Sequence, residues 1–206
     1  MLGLMLAALL SSETADPIQT AMDYYQGIDA YQTTMKSVNG DNTEIIQYYF
    51  KKPGQVRMEF VTPIKGAVLI YDSAAKKAKL WPFGYRRFPA FNLSPDNSII
   101  QSSSGQRVDR SDVGVLYQNV KTLQEKGNTE ILGTEDIDGR ETLHMMVTGE
   151  NHFAVNSVAR YQLWLDLSNG FPHKVIAYDK NGQVIETVQM NKLIINPKFP
   201  AGFFTQ

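Results

Sequence analysis

Apolar residues recur at helical spacing in two stretches of the chain. In the first, which starts at Pro17, Asp16 is placed to cap the helix. In the second, Ser111 or Asp112 can serve as the N-cap, and Gly127 is placed to end the helix. The pattern therefore predicts two helices.

Over most of the remaining chain the period is two, which is typical of strands. Short polar turns of the kind that favours hairpins separate these runs. The predicted turns are Asn39-Gly40, Lys52-Pro53-Gly54, Asp138-Gly139, Asn169-Gly170 and Asn181-Gly182. Strands and helices do not alternate as a parallel sheet requires. The sequence therefore predicts an α+β protein: a curved, half-open antiparallel β-barrel of about nine to eleven strands, with helices covering its concave face.

One long segment breaks this rhythm. Residues 82–110 contain Pro82, Pro89 and Pro95 and a serine-rich run that ends at Gly105. Segments of this length without a clear period are uncommon inside compact domains and are often functional. We interpret residues 82–110 as a long excursion or lid.

The composition fits a folded domain. Of the 206 residues, 43% are hydrophobic and 20% are charged. The formal net charge is −1, so there is no global positive field to hold nucleic acid, and we expect no nucleic-acid partner. The chain contains no cysteine, which excludes a disulfide framework, a cysteine nucleophile and an anchor through an acylated cysteine.

The first ten residues are almost all apolar, and small and polar residues follow up to Ala15. This run is too short to span a bilayer but has the length of the apolar core of a signal peptide. We therefore predict that residues 1–15 are a signal peptide or its remnant, that residues 16–206 form one domain, and that the protein is periplasmic. An ordinary buried terminal helix is the alternative.

The sequence offers little for catalysis. Its histidines are His144, His152 and His173, and none lies in a metal-binding helix motif. There is no glycine-rich phosphate loop and no nucleophile elbow. We therefore predict no catalytic residue, no metal and no cofactor, and an enzymatic function such as an esterase is only a minor alternative.

Basic residues and large apolar residues each suggest a binding role. Lys76, Lys77, Lys79, Arg86 and Arg87 follow one another closely, which suits contact with anionic headgroups or an acidic partner, although a solvated loop is the plainer interpretation. The chain also has ten Tyr, ten Phe and eight Met. Such side chains suit either an apolar cavity that adapts to acyl chains or a fully packed core.

Residues 48–63 resemble the periplasmic lipoprotein-sorting carriers of the LolA/LolB-like superfamily. This stretch reads Tyr-Tyr-Phe-Lys-Lys-Pro-Gly-Gln-Val-Arg-Met-Glu-Phe-Val-Thr-Pro. The resemblance continues through Tyr71-Asp72, Lys79-Leu80-Trp81, the run from Arg160 to Asp166, Gly170-Phe171-Pro172, and the run from Asn196 to Pro200. The order of elements matches over about residues 16–204, so the chain is identified as a divergent member of the superfamily.

The resemblance implies an apolar cavity that holds acyl chains under a helical lid. The positions expected to line it are Tyr48, Phe50, Val56, Met58, Phe60, Leu69, Trp81 and Leu163. Lys52 occupies a position where the carriers often have an arginine that holds the lid shut, and lysine is a less rigid donor. The expected headgroup or partner contacts are Lys76, Lys77, Arg86 and Arg87.

The expected function is therefore a non-enzymatic periplasmic carrier for a lipid or a lipidated protein. Envelope membranes or transport proteins are further possible partners. The alternative is an envelope protein-interaction module that has the same fold but a filled core.

Overall fold

Eleven antiparallel strands form one sheet that does not close. The structure, a computed structural model, describes residues 15–205. The strands are β1 (Ala30–Asn39), β2 (Asn42–Lys51), β3 (Gln55–Thr62), β4 (Val68–Asp72), β5 (Lys77–Trp81), β6 (Phe91–Leu93), β7 (Gly127–Ile137), β8 (Arg140–Gly149), β9 (Arg160–Asp166), β10 (Pro172–Tyr178) and β11 (Val184–Ile195). The predicted half-open antiparallel architecture with a few helices is confirmed.

The sheet consists of two meanders joined in the middle. Its order is β6-β5-β4-β3-β2-β1-β11-β10-β9-β8-β7, so β6 and β7 are the edges. The first and last strands pair antiparallel at the centre, with Tyr31 opposite Ile195. The chain therefore crosses from one edge to the other between β6 and β7, and it does so over the concave face.

Most turns lie where the sequence predicts them. At Asp138-Gly139 the two φ angles are 53° and 77°, the left-handed conformation that a tight hairpin needs. The first hairpin differs by one residue: Asn39 pairs with Asn42, so the loop is Gly40-Asp41 rather than Asn39-Gly40.

Two α-helices, α1 (Pro17–Gln26) and α2 (Val113–Gln124), begin at aspartate caps. Asp16 accepts a hydrogen bond from the backbone of α1, and Asp112, not Ser111, accepts from the backbone N–H groups of Gly114 and Val115. The predicted end of α2 at Gly127 is wrong, because the helix ends three residues earlier and Gly127 begins β7.

The two helices are fastened to each other at both ends. The Lys121 ammonium group lies 2.6 Å from a carboxylate oxygen of Asp16. At the other end, the Tyr25 hydroxyl donates to Asp112 at 3.0 Å. Each N-cap carboxylate is therefore bound by a side chain from the C-terminal half of the other helix, which makes α1 and α2 one paired unit on the concave face.

The two faces of the sheet have different coverings. The main core lies on the concave side, where Tyr31, Tyr117 and Phe171 are fully buried. On the outer face, the segment after β11 packs back across the sheet. There the Arg57 guanidinium lies 4.5 Å from the ring centres of both Tyr85 and Phe203.

The predicted excursion divides into a loop, the short strand β6 and a segment that crosses the concave face. We call residues 94–112 the crossing segment; it contains two 3-10 turns, at Ser98–Ile100 and Val108–Arg110. The Tyr48 hydroxyl and the Ser111 hydroxyl lie 3.0 Å apart, and this contact ties the segment to β2. The crossing segment therefore forms a cover over β1–β3, in addition to the two helices.

Almost all of the predicted signal peptide lies outside the described residues. Within residues 15–205, no helix is both long enough and apolar enough to cross a bilayer.

Candidate functional site

A cavity of about 260 Å³ lies between the crossing segment and the concave face of β1–β3. We call it the apolar cavity. Its sheet wall includes Ile46, Tyr48, Met58, Phe60 and Leu80, and its cover includes Ile99, Ile100 and Val108. Two lining residues are well exposed, Ile64 at 56% and Ile99 at 71%, and they mark its opening to solvent.

A larger cavity of about 520 Å³ lies between α2 and strands β10 and β11. We call it the helix cavity. Its apolar lining includes Leu116, Val175, Ala177, Ile185 and Met190, and polar residues such as Arg110 and Asn119 lie at its rim. This volume is within the range of ligand pockets in proteins, and the apolar cavity is slightly below that range.

The two cavities adjoin along a shared wall. Both linings include Met35, Val188, Glu186 and Arg107. The polar groups of this wall have partners: Arg107 forms a two-point ion pair with Asp109, at 2.9 and 2.7 Å, and the Ser37 hydroxyl donates to Glu186. The charged groups of this wall therefore have partners, which lowers the cost of placing them beside an apolar ligand.

A second carboxyl group borders the apolar cavity. Burial raises the pKa of Glu44, and the negative charge of Glu186 raises it further against the effect of a hydrogen bond from the Ser103 backbone. Two carboxylates so close together disfavour a further negative charge. This end of the cavity is therefore suited to an uncharged chain rather than to an anionic group.

The predicted cavity residues fall into three groups. Tyr48, Met58 and Phe60 line the apolar cavity. A second group, consisting of Phe50, Val56, Leu69 and Leu163, is buried in the main core and lines neither cavity.

Trp81 makes up the third group, because it lies on the outer face of the sheet. It pairs with Val68 and packs with Ile70 and Tyr85. Side chains alternate along β5, so Leu80 points into the apolar cavity and Trp81 points away from it. Its assignment to the cavity is wrong for this reason.

Lys52 lies where the β2–β3 turn meets the end of α1. Its ammonium group donates to the carbonyl oxygens of Tyr25 and Gln26, at 2.9 and 3.0 Å. Lys52 therefore contacts α1, a helix that the resemblance predicts to be part of a lid.

The predicted basic contacts do not form one cluster. Lys76 precedes β5, in the turn after β4, and Lys77 is the first residue of β5, whereas Arg86 and Arg87 follow β5. The two pairs therefore lie at opposite ends of this strand and cannot contact the same headgroup.

Several lining residues were not among the predicted set. Side chains at every second position of a strand share one face of the sheet, so Ile46 lies on the same face as Tyr48, and Glu186 on the same face as Met190. Alternation alone would therefore have found both, although a charged residue such as Glu186 is not expected at an inward position. Ile64 and Ile99 lie in loops and a 3-10 turn, where no sequence period reports which way a side chain points.

Two of the three histidines make structural contacts, and His152 is exposed. His144 stacks on Trp164, with ring centres 4.2 Å apart, and His173 pairs with the buried Asp166 at 3.1 Å. Among residues 15–205, no group of three His, Asp or Glu side chains could hold a metal ion.

Comparison with known proteins gives one family match. A family model described as the MucB/RseB N-terminal domain matches residues 93–206, more than half of the chain. That match covers the crossing segment, α2 and the second meander. A search among curated proteins found no match.

Solved structures match almost the whole chain. An uncharacterised conserved protein from Thermus thermophilus is 10% identical, with a TM-score of 0.57 and coverage of 93% of this chain and 94% of that one. The lipoprotein LppX from Mycobacterium tuberculosis is 10% identical, with a TM-score of 0.53 and coverage of 89% and 95%. MucB is 17% identical, with a TM-score of 0.51; the match covers 92% of this chain but only 62% of MucB. These likenesses show a shared fold.

Proposed function

The chain belongs to the MucB/RseB N-terminal domain family and is a divergent LolA-like protein, and from this premise we propose that it binds the acyl chain of a lipid or lipidated protein in the periplasm. The resemblance found in the sequence is thereby confirmed at the level of the superfamily. The proposed role is that of a non-enzymatic carrier or binding protein.

One observation carries the proposal: two adjoining cavities remain under the helices and the crossing segment. The wall of the smaller one is formed by Tyr48, Met58 and Phe60, which are apolar or aromatic and border open space. Moving a methylene group from water into such a site is worth about 0.8 kcal/mol. A chain of several methylenes would therefore bind without any catalytic or charged group.

The periplasmic location is part of the proposal. It is supported by the apolar run at residues 1–10 and by the family assignment. Detection of the protein in a periplasmic fraction, with its mature N-terminus sequenced, would test the predicted boundary after Ala15.

The direct test is native mass spectrometry of protein purified from a Gram-negative periplasm, followed by organic extraction. We expect a bound lipid or acylated peptide. Met58→Asp should lose it, because a carboxylate would face the apolar cavity. Val61→Asp is the matched control, since Val61 lies on the same strand but is exposed. A clean apo mass for the wild type, together with no uptake of an acyl-chain probe, would reject the proposal.

A second candidate is protein binding along the edge strand β7. This strand has eleven residues, and two of its apolar side chains are well exposed, Ile131 at 51% and Leu132 at 41%. Exposed edges of this kind accept an added strand from a partner. Replacing both residues with lysine should abolish capture of an extended peptide partner while leaving uptake of an acyl-chain probe unchanged.

A further inference from the structure

Two connections lie side by side at one end of the sheet. The β3–β4 loop (residues 63–67) and the β5–β6 loop (residues 82–90) follow strands that run in the same direction, so both leave the sheet at the same end. They also approach each other: a Cβ added to Gly84 would lie 3.8 Å from the carbonyl oxygen of Gly66. We call these two connections the paired loops.

The paired loops expose large apolar side chains. Phe88 is 94% exposed, Phe83 is 64% exposed, and Ile64, which also lines the mouth of the apolar cavity, belongs to the same surface. Soluble proteins seldom leave such groups together in water unless the surface has a partner.

The same loops are basic. Between residues 61 and 95 the chain has six Lys or Arg residues and a single acidic residue, Asp72, although the whole chain has a net charge of −1. Lys65, Arg86 and Arg87 lie in the paired loops and are exposed. None of the three forms an ion pair with any side chain of residues 15–205, and Asp72 lies at the opposite end of the sheet.

We propose that the paired loops are a docking surface for a bilayer that contains anionic phospholipids. Phe83, Phe88 and Ile64 enter the interfacial region, and the three cations remain at the level of the lipid phosphates. Aromatic rings are favourable at this depth, and basic residues are attracted by the negative surface potential. Stable attachment generally needs both signals, and the paired loops supply both.

Docking would bring the mouth of the apolar cavity to the bilayer surface. Pro63 and Ile64 belong both to the β3–β4 loop and to the lining of that cavity. An acyl chain could then pass between membrane and cavity with little exposure to water. This last step rests on the proposed function, whereas docking itself does not.

Sedimentation with vesicles tests docking. The whole chain should sediment with phosphatidylcholine vesicles that contain phosphatidylglycerol, should sediment much less with phosphatidylcholine alone, and should be released by salt. Arg86→Gln combined with Arg87→Gln should weaken binding about twenty-five-fold, since each basic residue contributes about fivefold. Phe88→Ser should weaken it about tenfold or more.

Matched controls use exposed residues elsewhere. Lys180→Gln combined with Lys198→Gln removes the same charge, and Leu167→Ser removes an exposed apolar side chain. Both should bind vesicles like the wild type. If the paired-loop variants also bind like the wild type, or if the wild type does not sediment with anionic vesicles, the docking proposal is wrong.

Tryptophan fluorescence measures insertion of the paired loops into the bilayer independently of sedimentation. Trp81 and Trp164 are each only 3% exposed, so a tryptophan introduced at Phe88 will dominate any change in emission. Phe88→Trp should shift to the blue with anionic vesicles, and Leu167→Trp should not. Uptake of a soluble acyl-chain probe should stay normal in the arginine variant. A variant that loses docking but keeps uptake identifies the paired loops as the docking surface. A variant that loses uptake but keeps docking has a defect in the cavity.

Discussion

Lys52 is bound to Tyr25 in two ways. Its ammonium group donates to the Tyr25 carbonyl oxygen at 2.9 Å and lies 4.8 Å from the centre of the Tyr25 ring. This carbonyl and that of Gln26 are at the C-terminal end of α1, where a positive charge is favourable. The turn after β2 therefore fastens the end of the helix that lies over the concave face.

Removing this contact should loosen α1. We expect Lys52→Ala to lower the free energy of unfolding by about 1 kcal/mol and to speed hydrogen exchange of the α1 amides. Lys52→Arg should preserve most of the protection, since it keeps the charge. Lys51→Ala changes the neighbouring exposed residue and should have little effect. Unchanged exchange in Lys52→Ala would show that the contact does not hold the helix.

Core and cavity positions should respond differently to truncation. Leu163 is fully buried, so Leu163→Ala should cost about 2–5 kcal/mol of unfolding free energy. Met58 already borders an open space, so Met58→Ala should cost about half of that or less. Urea denaturation of both variants measures the difference. Equal losses would mean that Met58 is packed as tightly as Leu163.

Arg57 should not tolerate replacement by lysine. Its guanidinium donates to the Phe203 carbonyl oxygen at 2.9 Å and to Glu59 at 2.8 Å, between two aromatic rings. A lysine cannot reproduce this planar fork. We expect Arg57→Lys to lower the unfolding free energy by about 1–2 kcal/mol and to expose the segment after β11 to proteases. Lys198→Arg, an exposed change, is the control.

Stability should fall in acid. Burial alone would raise the pKa values of Asp16 and Asp166, but hydrogen bonds outweigh it and hold both pKa values below the ordinary 3.8; the donors include Lys121 for Asp16 and Ser168 for Asp166. Carboxylates with lowered pKa values stabilise the fold above about pH 4, and this contribution is lost as the pH falls through their folded pKa values.

The aspartate contribution can be isolated by substitution. Asp166→Asn should be less stable at neutral pH and should show a shallower decline of unfolding free energy below pH 3.8. Asp23→Asn, an exposed change, should keep the wild-type slope. An unchanged slope in Asp166→Asn would assign the acid sensitivity to other groups.

Features with a clear local sequence signal were predicted more accurately than short or irregular elements. The cap at Asp16 was predicted at the right residue, and the cap of α2 was narrowed to Ser111 or Asp112, because capping is a local signal. No strand was predicted at β6, which has only three residues. The turn at Asp138-Gly139 implied a strand before it, but the bounds of β7 were not predicted, because most of its residues are exposed on both faces. Neither strand gives a clear period of two.

The candidate site was predictable only where strands line it. Parity placed Met58 and Phe60 together, and both line the apolar cavity. It could not tell which inward residues meet open space, because that depends on the path of the crossing segment. Leu69 and Leu163 point inward like Met58 but meet other side chains instead.

The central pairing of β1 with β11 has a consequence for folding. Tyr31 has Ile195 as its partner, so more than 150 residues separate the two sides of this junction. Each meander can form from local hairpins, but β1 keeps one open edge until β11 is available to pair with it. Because closing such long-range contacts is slow, the folding chain carries an unpaired strand edge until this pairing forms and is exposed to wrong pairing during that time.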